Sequence, residues 1–311
     1  MELNTLLQYK PYSTARTEKR ALYAGLLTEL TQFHRERCPE YGRLLDALGC
    51  PAHMDCTVEN TPMLPVSLFK ELELRSIPEG EVFKTITSSG TTGQRVSRIF
   101  LDGATSACQQ QALCQIMSDF LGERRLPFLV LDSRQVLRNR AMFSARGAGI
   151  LGFSIFGTRP CYALDEHMEL DLDGVRAFLE EHQGETIFLF GFTFMIWKHV
   201  VRALEERGER LDIPNGILVH GGGWKKLAGE AVSPGEFKAR VAAATGVERV
   251  SNYYGMAEQT GCIYMECPQG HLHASLWSDI VVRRGRDYRP CEPGEEGVLQ
   301  VLSPLPRSYP G

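Results

Sequence analysis

The first part of the chain carries apolar residues at helical spacing. One face of a helix collects four of them, Leu26, Leu27, Leu30 and Phe33. Basic side chains fall outside that face, namely Lys19, Arg20, Arg35 and Arg37. The pattern predicts helices up to about Asn60. We therefore predict residues 1–60 as a helical segment that precedes one compact core formed by residues 61–311.

Beyond residue 60 the apolar spacing changes repeatedly between that of a strand and that of a helix. Strands at 82–87 and 96–101 flank a polar loop, which predicts a β-hairpin. Further along, helices at 105–121, 172–182, 194–206 and 233–244 alternate with strands at 128–131, 186–190, 216–220 and 247–250. The last of these helices begins with the capping box Ser233-Pro-Gly-Glu236. After Cys262 the chain is rich in strand formers, Pro and Gly. This order predicts an α/β fold with a β-rich C-terminal portion.

Composition and charge exclude several classes of protein. The 311 residues are 43% hydrophobic and 23% charged, as in ordinary globular proteins, and the formal net charge of −4 makes nucleic acid an unexpected main partner. The longest nearly apolar run, 187–197, is shorter than the roughly 20 residues of a membrane-spanning helix. Nine irregularly spaced cysteines without a secretory leader predict free thiols and a cytoplasmic location.

The hydroxyl-rich loop between the two hairpin strands is the first candidate for binding chemistry. Its donors are Ser88, Ser89, Thr91 and Thr92, with Gly90 and Gly93 between or after them and Arg95 at the rim. Hydroxyls and exposed backbone amides can converge on one phosphate, although the spacing is not that of the common P-loop. A polar turn without a ligand is the alternative.

Two further segments follow predicted strands, where α/β sheets place their ligands. The first runs from His220 through Gly221, Gly222 and Gly223 to Trp224 and Lys226, and the second is Ser251 to Gly261. Consecutive glycines leave bare backbone for a flat group, a tyrosine can stack on that group, and a glutamate can hold Mg²⁺.

With these residues the chain resembles the acyl-protein synthetase (LuxE) family of the adenylate-forming superfamily of acyl and aryl ligases. Matching motifs lie at 64–70, 88–93, 97–102, 220–226, 253–261 and 266–273. The resemblance implies the large N-terminal domain of an adenylate-forming enzyme, with mixed sheets flanked by helices. The small C-terminal lobe of such enzymes, with its lysine and the acceptor thiol, is expected to be missing from the 311 residues.

The resemblance also implies roles for individual residues. ATP phosphates would be held by Ser88, Ser89, Gly90, Thr91, Thr92 and Gly93, while Gly221, Gly222 and Gly223 would border the adenine and Tyr254 would stack on it. Glu258 would bind Mg²⁺, and catalysis would involve Thr91, Glu258 and Arg95, the last replacing a lysine common in relatives. The implied cofactors are ATP and Mg²⁺.

The implied reaction converts a fatty acid to acyl-AMP and then transfers the acyl group to a protein cysteine for a partner acyl reductase. None of the nine cysteines can be matched to the family's acceptor. Two alternatives stay open: an aryl- or acyl-CoA ligase of the phenylacetate type, and a non-catalytic nucleotide-binding module. We assign substrate binding to His220, Trp224, Gly191 and Phe192, with Gly191 leaving room for an acyl chain. Ordinary core packing explains these apolar residues almost as well.

Two other patterns are weaker. Gly147-Ala-Gly-Ile-Leu-Gly152 has the spacing of a dinucleotide-binding loop but no clear strand-to-helix junction, so close helix packing or a pocket wall is favoured. Cys262, Cys267, His271 and His273 could be read as a zinc site, but their spacing is not standard. Histidines sharing one face of a strand near the floor of the site are the favoured interpretation.

Overall fold

The computed structural model describes residues 3–88, 95–138, 145–259 and 261–311. These residues form two compact units, each assembled from separate stretches of the chain. Unit 1 consists of Met1–Asp119, Gly255–Tyr264 and Ala274–Gly311, and unit 2 of Phe120–Tyr254 and Met265–His273. The boundary predicted at residue 60 lies inside unit 1, so the division into 1–60 and 61–311 stays a prediction.

Unit 1 combines N-terminal helices with two antiparallel strand pairs. Its helices are α1 (Leu3–Leu6), α2 (Arg16–Arg37), α3 (Pro39–Ala47), α4 (Leu68–Glu71) and most of α5 (Gly103–Leu121). Strand β1 (Lys84–Thr87) pairs with β2 (Arg98–Leu101), which confirms the predicted hairpin, and β10 (Asp279–Arg283) pairs with β11 (Val298–Leu302). One of its apolar clusters joins α3 to the chain's end, because Tyr41 and Leu45 pack with Phe69, Ile99 and Tyr309.

Helix α2 corrects one detail of the predicted helical face. Leu26, Leu27 and Leu30 are buried as expected, but Lys19 is buried too, at 8% exposure. Its ammonium donates to the carbonyl oxygen of Ser278 at 2.6 Å and lies 3.5 Å from Asp279 Oδ2. The prediction that Lys19 faces outward is wrong because partners some 260 positions away in the sequence compensate the buried charge.

Unit 2 is built around a seven-stranded sheet in the order β4-β3-β5-β6-β7-β8-β9. The strands are β3 (Leu126–Ser133), β4 (Gly157–Leu164), β5 (Ile187–Phe192), β6 (Gly216–Gly221), β7 (Arg249–Tyr254), β8 (Tyr264–Glu266) and β9 (Leu272–His273). Strands β4, β3, β5, β6 and β7 run parallel, and β8 pairs antiparallel with β9. Every residue of β5 and β6 is buried, as expected for central parallel strands covered on both faces.

Helices connect and cover these strands. They are α6 (Gln135–Arg138), α7 (Ala145–Phe153), α8 (Leu172–Glu181), α9 (Thr193–Ile196), α10 (Arg202–Arg207) and α11 (Pro234–Thr245). A π-helical segment, Trp197–Val201, joins α9 to α10. The predicted helix at 194–206 is therefore confirmed as one uninterrupted helical stretch. The hydroxyl of Ser233 accepts a hydrogen bond from the amide of Glu236, which confirms the predicted cap of α11. The α/β fold predicted from the sequence is confirmed.

The glycine-rich stretch forms helix α7 and not a dinucleotide-binding turn. Gly147, Gly149 and Gly152 all lie within this helix. A Cβ atom at Gly149 would come within 3.0 Å of the Phe192 ring and 3.3 Å of the Phe190 ring. The favoured explanation, close packing of a helix, is confirmed at Gly149. Across the part of the chain that the structure describes, no helix combines the length and apolar character needed to cross a membrane.

Candidate active site

The base of the hairpin loop in unit 1 is held by two serines. The Ser88 amide donates to the carbonyl oxygen of Ser97 at 3.2 Å, and the Ser97 amide donates to Ser88 Oγ at 3.0 Å. The other predicted phosphate-binding residues, Ser89, Gly90, Thr91, Thr92 and Gly93, lie outside the described residues. Their roles stay predictions, and the hydroxyl oxygen of Ser88 already accepts one hydrogen bond.

Arg95, at the other end of the loop, pairs with a carboxylate. Its Nη1 lies 2.6 Å from Glu71 Oε2, and both side chains are more than half exposed. Ion pairs this exposed contribute about 0–1 kcal/mol, so a phosphate could displace Glu71 at little cost. The predicted catalytic role of Arg95 stays a prediction that requires this exchange.

Glu258 lies in a short 3-10 turn of unit 1, Ala257–Gln259, and is only 7% exposed. Its carbonyl oxygen accepts a hydrogen bond from the Tyr309 hydroxyl at 2.9 Å, and that hydroxyl accepts one from Gln109 Nε2 at 3.1 Å. Nearby, Gly261 has φ +84°, and a Cβ there would lie 2.2 Å from the Gln109 carbonyl oxygen. Helix α5 and the fully buried Tyr309 therefore brace the backbone around Glu258. No pattern in the sequence predicted these contacts.

The glycine triplet of unit 2 begins with Gly221, the last residue of β6, and so lies at the carboxyl end of the parallel sheet, as predicted. A Cβ at Gly221 would lie 2.5 Å from the Tyr253 ring, and one at Gly222 would lie 2.9 Å from the Phe192 ring. Gly222 also has φ +74°, whereas no described atom lies within 4 Å of a Cβ at Gly223. Gly221 and Gly222 thus serve packing and backbone geometry, and Gly223 presents bare backbone to open space.

Thr193, which was not among the predicted site residues, holds this triplet in place through hydrogen bonds. Its hydroxyl oxygen lies 3.2 Å from Gly221 O, 3.0 Å from Gly222 O and 3.0 Å from His220 Nδ1. Carbonyl oxygens only accept hydrogen bonds, so the Thr193 hydroxyl donates its proton to the carbonyl oxygens of Gly221 and Gly222. The hydroxyl oxygen then accepts a hydrogen bond from His220 Nδ1–H. This arrangement assigns the His220 proton to Nδ1 and leaves Nε2 as an acceptor.

His220 is buried at 5% exposure, and its Nε2 has no hydrogen-bond partner among the described residues. Burial, with a smaller effect of the Lys238 ammonium, lowers the pKa of His220 to about 3, so the ring is neutral near pH 7. On the adjacent strand its register partner is Asn252, whose buried Oδ1 likewise has no partner in the described part of the chain. Near the ends of two neighbouring strands there are thus two buried acceptors without partners among the described residues, and a ligand with N–H donors would reach them only after the side chains around them move.

The predicted substrate residues of unit 2 are packed against other aromatic side chains. Trp224 meets the ring of Trp197 edge to face at 5.2 Å, and Phe192 meets Phe190 in the same manner at 5.9 Å. At Gly191 a Cβ would lie 2.9 Å from Leu131 Cβ and 3.0 Å from Ile196 Cγ1. Gly191 therefore serves core packing, contrary to the expectation that it leaves room for an acyl chain.

Tyr254, the last residue of β7, is 41% exposed, which suits the predicted stacking on a base without testing it. No group of three or more His, Cys, Asp or Glu side chains with metal-binding geometry occurs within the described ranges. The zinc site considered for Cys262, Cys267, His271 and His273 is therefore not formed. A single carboxylate, Glu258, remains the predicted Mg²⁺ ligand.

Comparison with known proteins identifies relatives of this fold. The family model "Acyl-protein synthetase, LuxE" matches residues 2–311. The long-chain-fatty-acid–luciferin-component ligase of Vibrio harveyi is 20% identical over 312 residues, covering 96% of this chain and 79% of that protein.

A solved structure also shares the fold. A 2-hydroxyisobutyryl-CoA ligase in its postadenylation state superposes with a TM-score of 0.62 at 14% identity, covering 96% of this chain and 62% of the ligase. ATP-bound MatB from Rhodopseudomonas palustris gives a TM-score of 0.46 at 17% identity, covering 76% of this chain and 42% of MatB. This chain thus spans less than two thirds of either solved protein. The match of the family model over 2–311 shows that the chain belongs to the LuxE family of acyl-protein synthetases.

Proposed function

We propose that this protein uses ATP to convert a long-chain fatty acid to acyl-AMP and pyrophosphate. We further propose that the acyl group then passes to a protein cysteine, from which a partner acyl reductase takes it. Support comes from the family match over 2–311 and from the Vibrio harveyi relative, which is named as a ligase of long-chain fatty acids.

The observation that carries the nucleotide part of the proposal lies at the ends of β6 and β7. Bare backbone at Gly223 comes just after β6, and the exposed ring of Tyr254 ends β7. Two buried acceptors without partners among the described residues, His220 Nε2 and Asn252 Oδ1, lie two or three positions earlier on the same adjacent strands. A flat base would stack on the Tyr254 ring and lie against the bare backbone at Gly223. Its exocyclic amine would supply the N–H donor that His220 Nε2 or Asn252 Oδ1 lacks. Adenine is such a base, which supports ATP as the nucleotide.

Adenylation requires two anions to approach each other. A carboxylate oxygen forms a bond to the α-phosphorus while the bond to pyrophosphate breaks, against a repulsion of about 1 kcal/mol at 4 Å in water and more where water is excluded. Bound Mg²⁺ would neutralise part of this charge, and Glu258 is the residue proposed to hold it. Hydroxyl and amide donors of residues 88–93 would orient the phosphates, so this half-reaction needs no protein nucleophile.

The second half-reaction needs a thiolate. Its sulfur attacks the acyl carbonyl, and the bond from that carbon to AMP breaks to leave a thioester. Burial raises the pKa of several thiols in this chain: those of Cys38, Cys108 and Cys114, that of Cys161 to about 11, and that of Cys262 to about 12. These five are poor nucleophiles in the surroundings seen here, and we assign none of the nine cysteines as acceptor. Because all nine are free thiols, we propose a cytoplasmic location.

The proposal is tested by acid-dependent exchange of labelled pyrophosphate into ATP, with fatty acids of increasing length. Glu258→Gln should lower the exchange rate about 100-fold, the size expected for loss of a group that stabilises transition-state charge. Glu166→Gln, at an exposed carboxylate, is the control and should exchange like the unaltered protein. Hydroxylamine-labile acyl label on protein would then establish the second step.

Two results would replace the proposal with its alternatives. AMP release that depends on coenzyme A, without labelled protein, would indicate a CoA ligase of the aryl or acyl type. ATP binding without exchange for any acid would indicate a nucleotide-binding module. A fatty acid series in which exchange rises with chain length would instead define the substrate class.

A further inference from the structure

Three neighbouring strands of unit 2 end beside one another, and two of them lead to charged residues that the proposed function does not use. Strand β3 ends with Asp132 and Ser133, β5 ends with Phe192, and β6 leads through the glycine triplet to Lys225. Ligands of α/β proteins bind at this edge of the sheet. The charged residues at the ends of β3 and β6 are therefore candidates for contacts with a ligand.

Arg146, at the start of α7, is fixed at this edge by a buried carboxylate. Its Nε lies 2.8 Å from Asp132 Oδ2, and its Nη2 lies 2.5 Å from Asp132 Oδ1. Asp132 is fully buried, while 19% of the Arg146 side chain stays exposed. Such a two-point contact sets the plane of the guanidinium and leaves its remaining N–H groups for another acceptor.

Lys225 is held in an unusual conformation over two aromatic rings. Its φ is +49°, in the left-handed region that residues other than glycine rarely occupy. Its Nζ lies 4.9 Å from the centre of the Phe194 ring and 5.8 Å from that of Phe192. Backbone strain of this kind persists where the surroundings impose it, and it concentrates at binding and catalytic sites.

The charge around Lys225 is not balanced. Partial burial, followed by the nearby Arg146 guanidinium, lowers the pKa of Lys225. Asp132 already forms an ion pair with Arg146, and none of the ion pairs within the described ranges involves Lys225. Among the described groups, Arg146 is the charge that acts on Lys225, and the carboxylate beside Arg146 is already paired with it. An anion bound between the two cations would reduce their repulsion.

We propose that Lys225 and Arg146 bind the carboxylate of the acyl substrate. The rings of Phe192 and Phe194 beside Lys225 give the site an apolar side, which suits a carboxylate attached to hydrocarbon more than a free phosphate. This inference rests on the proposed function for its choice of ligand. The phosphates of ATP share the same anionic chemistry, so the test must separate the two sources.

The test compares Lys225→Met with Lys226→Met, an adjacent lysine removed in the same way, by calorimetric titration of three ligands. These are a long-chain fatty acid, the alcohol of equal chain length, and ATP. Lys225→Met should weaken binding of the acid about 10- to 100-fold, the loss of a hydrogen bond between charged groups, and leave the alcohol and ATP unchanged. Lys226→Met should bind all three like the unaltered protein, and Lys225→Arg should retain affinity for the acid.

Several outcomes would overturn the inference. They are equal losses for acid and alcohol in Lys225→Met, a loss confined to ATP, the same loss in Lys226→Met, or no binding of any carboxylate, phenylacetate included, to the unaltered protein. Because binding is measured directly, failure of the proposed function is seen separately. Charge-dependent binding of the acid without pyrophosphate exchange would keep the anion site and reject the ligase activity.

Discussion

Gly221 and Gly223 stand two positions apart, yet an added methyl group would meet different surroundings at each. At Gly221 it would enter the Tyr253 ring at 2.5 Å, while at Gly223 no described atom lies within 4 Å. We expect Gly221→Ala to lower the free energy of unfolding by about 1–3 kcal/mol through overpacking. Gly223→Ala should change it by less than about 0.5 kcal/mol but weaken ATP binding, because the new methyl group occupies the proposed base site.

Urea unfolding and ATP titration of the two variants separate these effects. Equal destabilisation by both substitutions would show that the triplet is packed along its whole length. Unchanged ATP affinity in Gly223→Ala would remove the nucleotide from this part of the sheet edge.

Two buried histidines make stability depend on pH. Burial lowers the pKa of His220 to about 3 and that of His34 to about 4, below the ordinary value of 6.5. The unfolded chain therefore takes up protons near pH 6.5 that the folded chain refuses until much lower pH, so stability falls as pH decreases from about 6.5 toward 4. The limiting slope is about 1.4 kcal/mol per pH unit for each histidine.

Unfolding free energies measured at pH 7, 6 and 5 check this expectation. His220→Gln should reduce the slope of unfolding free energy against pH by the contribution of one histidine. His167→Gln, at an exposed histidine, should leave that slope unchanged. A slope that is the same in all three proteins would mean that His220 takes up its proton in the folded state.

At the scale of elements, the brace around Glu258 links α5 to the segment that contains Tyr309. Tyr309→Phe removes the hydroxyl that joins Gln109 Nε2 to the Glu258 carbonyl. Tyr23→Phe is a matched control, since Tyr23 is equally buried in unit 1 and its hydroxyl donates to the Leu276 carbonyl at 2.9 Å. Each substitution should cost about 1 kcal/mol of stability. Only Tyr309→Phe should raise the Mg²⁺ concentration needed for half-maximal pyrophosphate exchange.

A Mg²⁺ titration of the exchange rate in both variants decides the point. If Tyr309→Phe and Tyr23→Phe have the same Mg²⁺ requirement, the hydrogen bond supports folding alone. If both raise the requirement, general destabilisation explains the effect.

Local chemistry in the sequence was sufficient to predict several elements of the fold. Alternating residues predicted the hairpin β1-β2, and Ser233 predicted the start of α11, because both signals act within a few residues. Close helix packing was favoured for the glycines of α7, but the bounds of this helix were not predicted, since each glycine opposes helix formation by about 1 kcal/mol. Its packing against Phe190 and Phe192 supplies what the local propensity lacks. The predicted strand at 247–250 lies instead at Arg249–Tyr254, so Tyr253 and Tyr254 belong to the strand and not to the loop.

The candidate site was predictable only in part, for the same reason. The glycine triplet and Glu258 stand in local motifs, whereas Thr193 and Tyr309 act through partners distant in the sequence. Thr193 reaches Gly222 across 29 positions, and Tyr309 reaches Glu258 across 51. Spacing along one element carries no information about such contacts.

At the scale of the whole molecule, each unit collects stretches that are far apart in the sequence. Unit 1 joins residues near both ends of the chain, and unit 2 takes in Met265–His273 after the chain has left it at Tyr254. Hydrophobic periodicity describes one helix or strand at a time. It therefore could not show that each unit is assembled from separate stretches of the chain. Folding of unit 1 consequently requires contacts of high sequence separation, such as that between Tyr23 and Leu276.

The nine cysteines test this picture of the molecule as a whole. All are free, and three of them, Cys38, Cys56 and Cys262, are almost completely buried. A thiol reagent should therefore detect nine thiols in denaturant without any reductant, and these three should react only after unfolding. Reducing agent should leave the thermal midpoint unchanged, because no cross-link is lost.

Cys161 gives the same experiment a second, independent readout. It is partly exposed, but burial raises its pKa to about 11. Reagents attack the thiolate, so its modification in the folded protein should speed up about tenfold for each pH unit between 7 and 9. Fewer than nine thiols in denaturant would reveal a disulfide. A rate at Cys161 that is independent of pH would mean that its thiol is already ionised, which would make it the first cysteine to examine as the acyl acceptor.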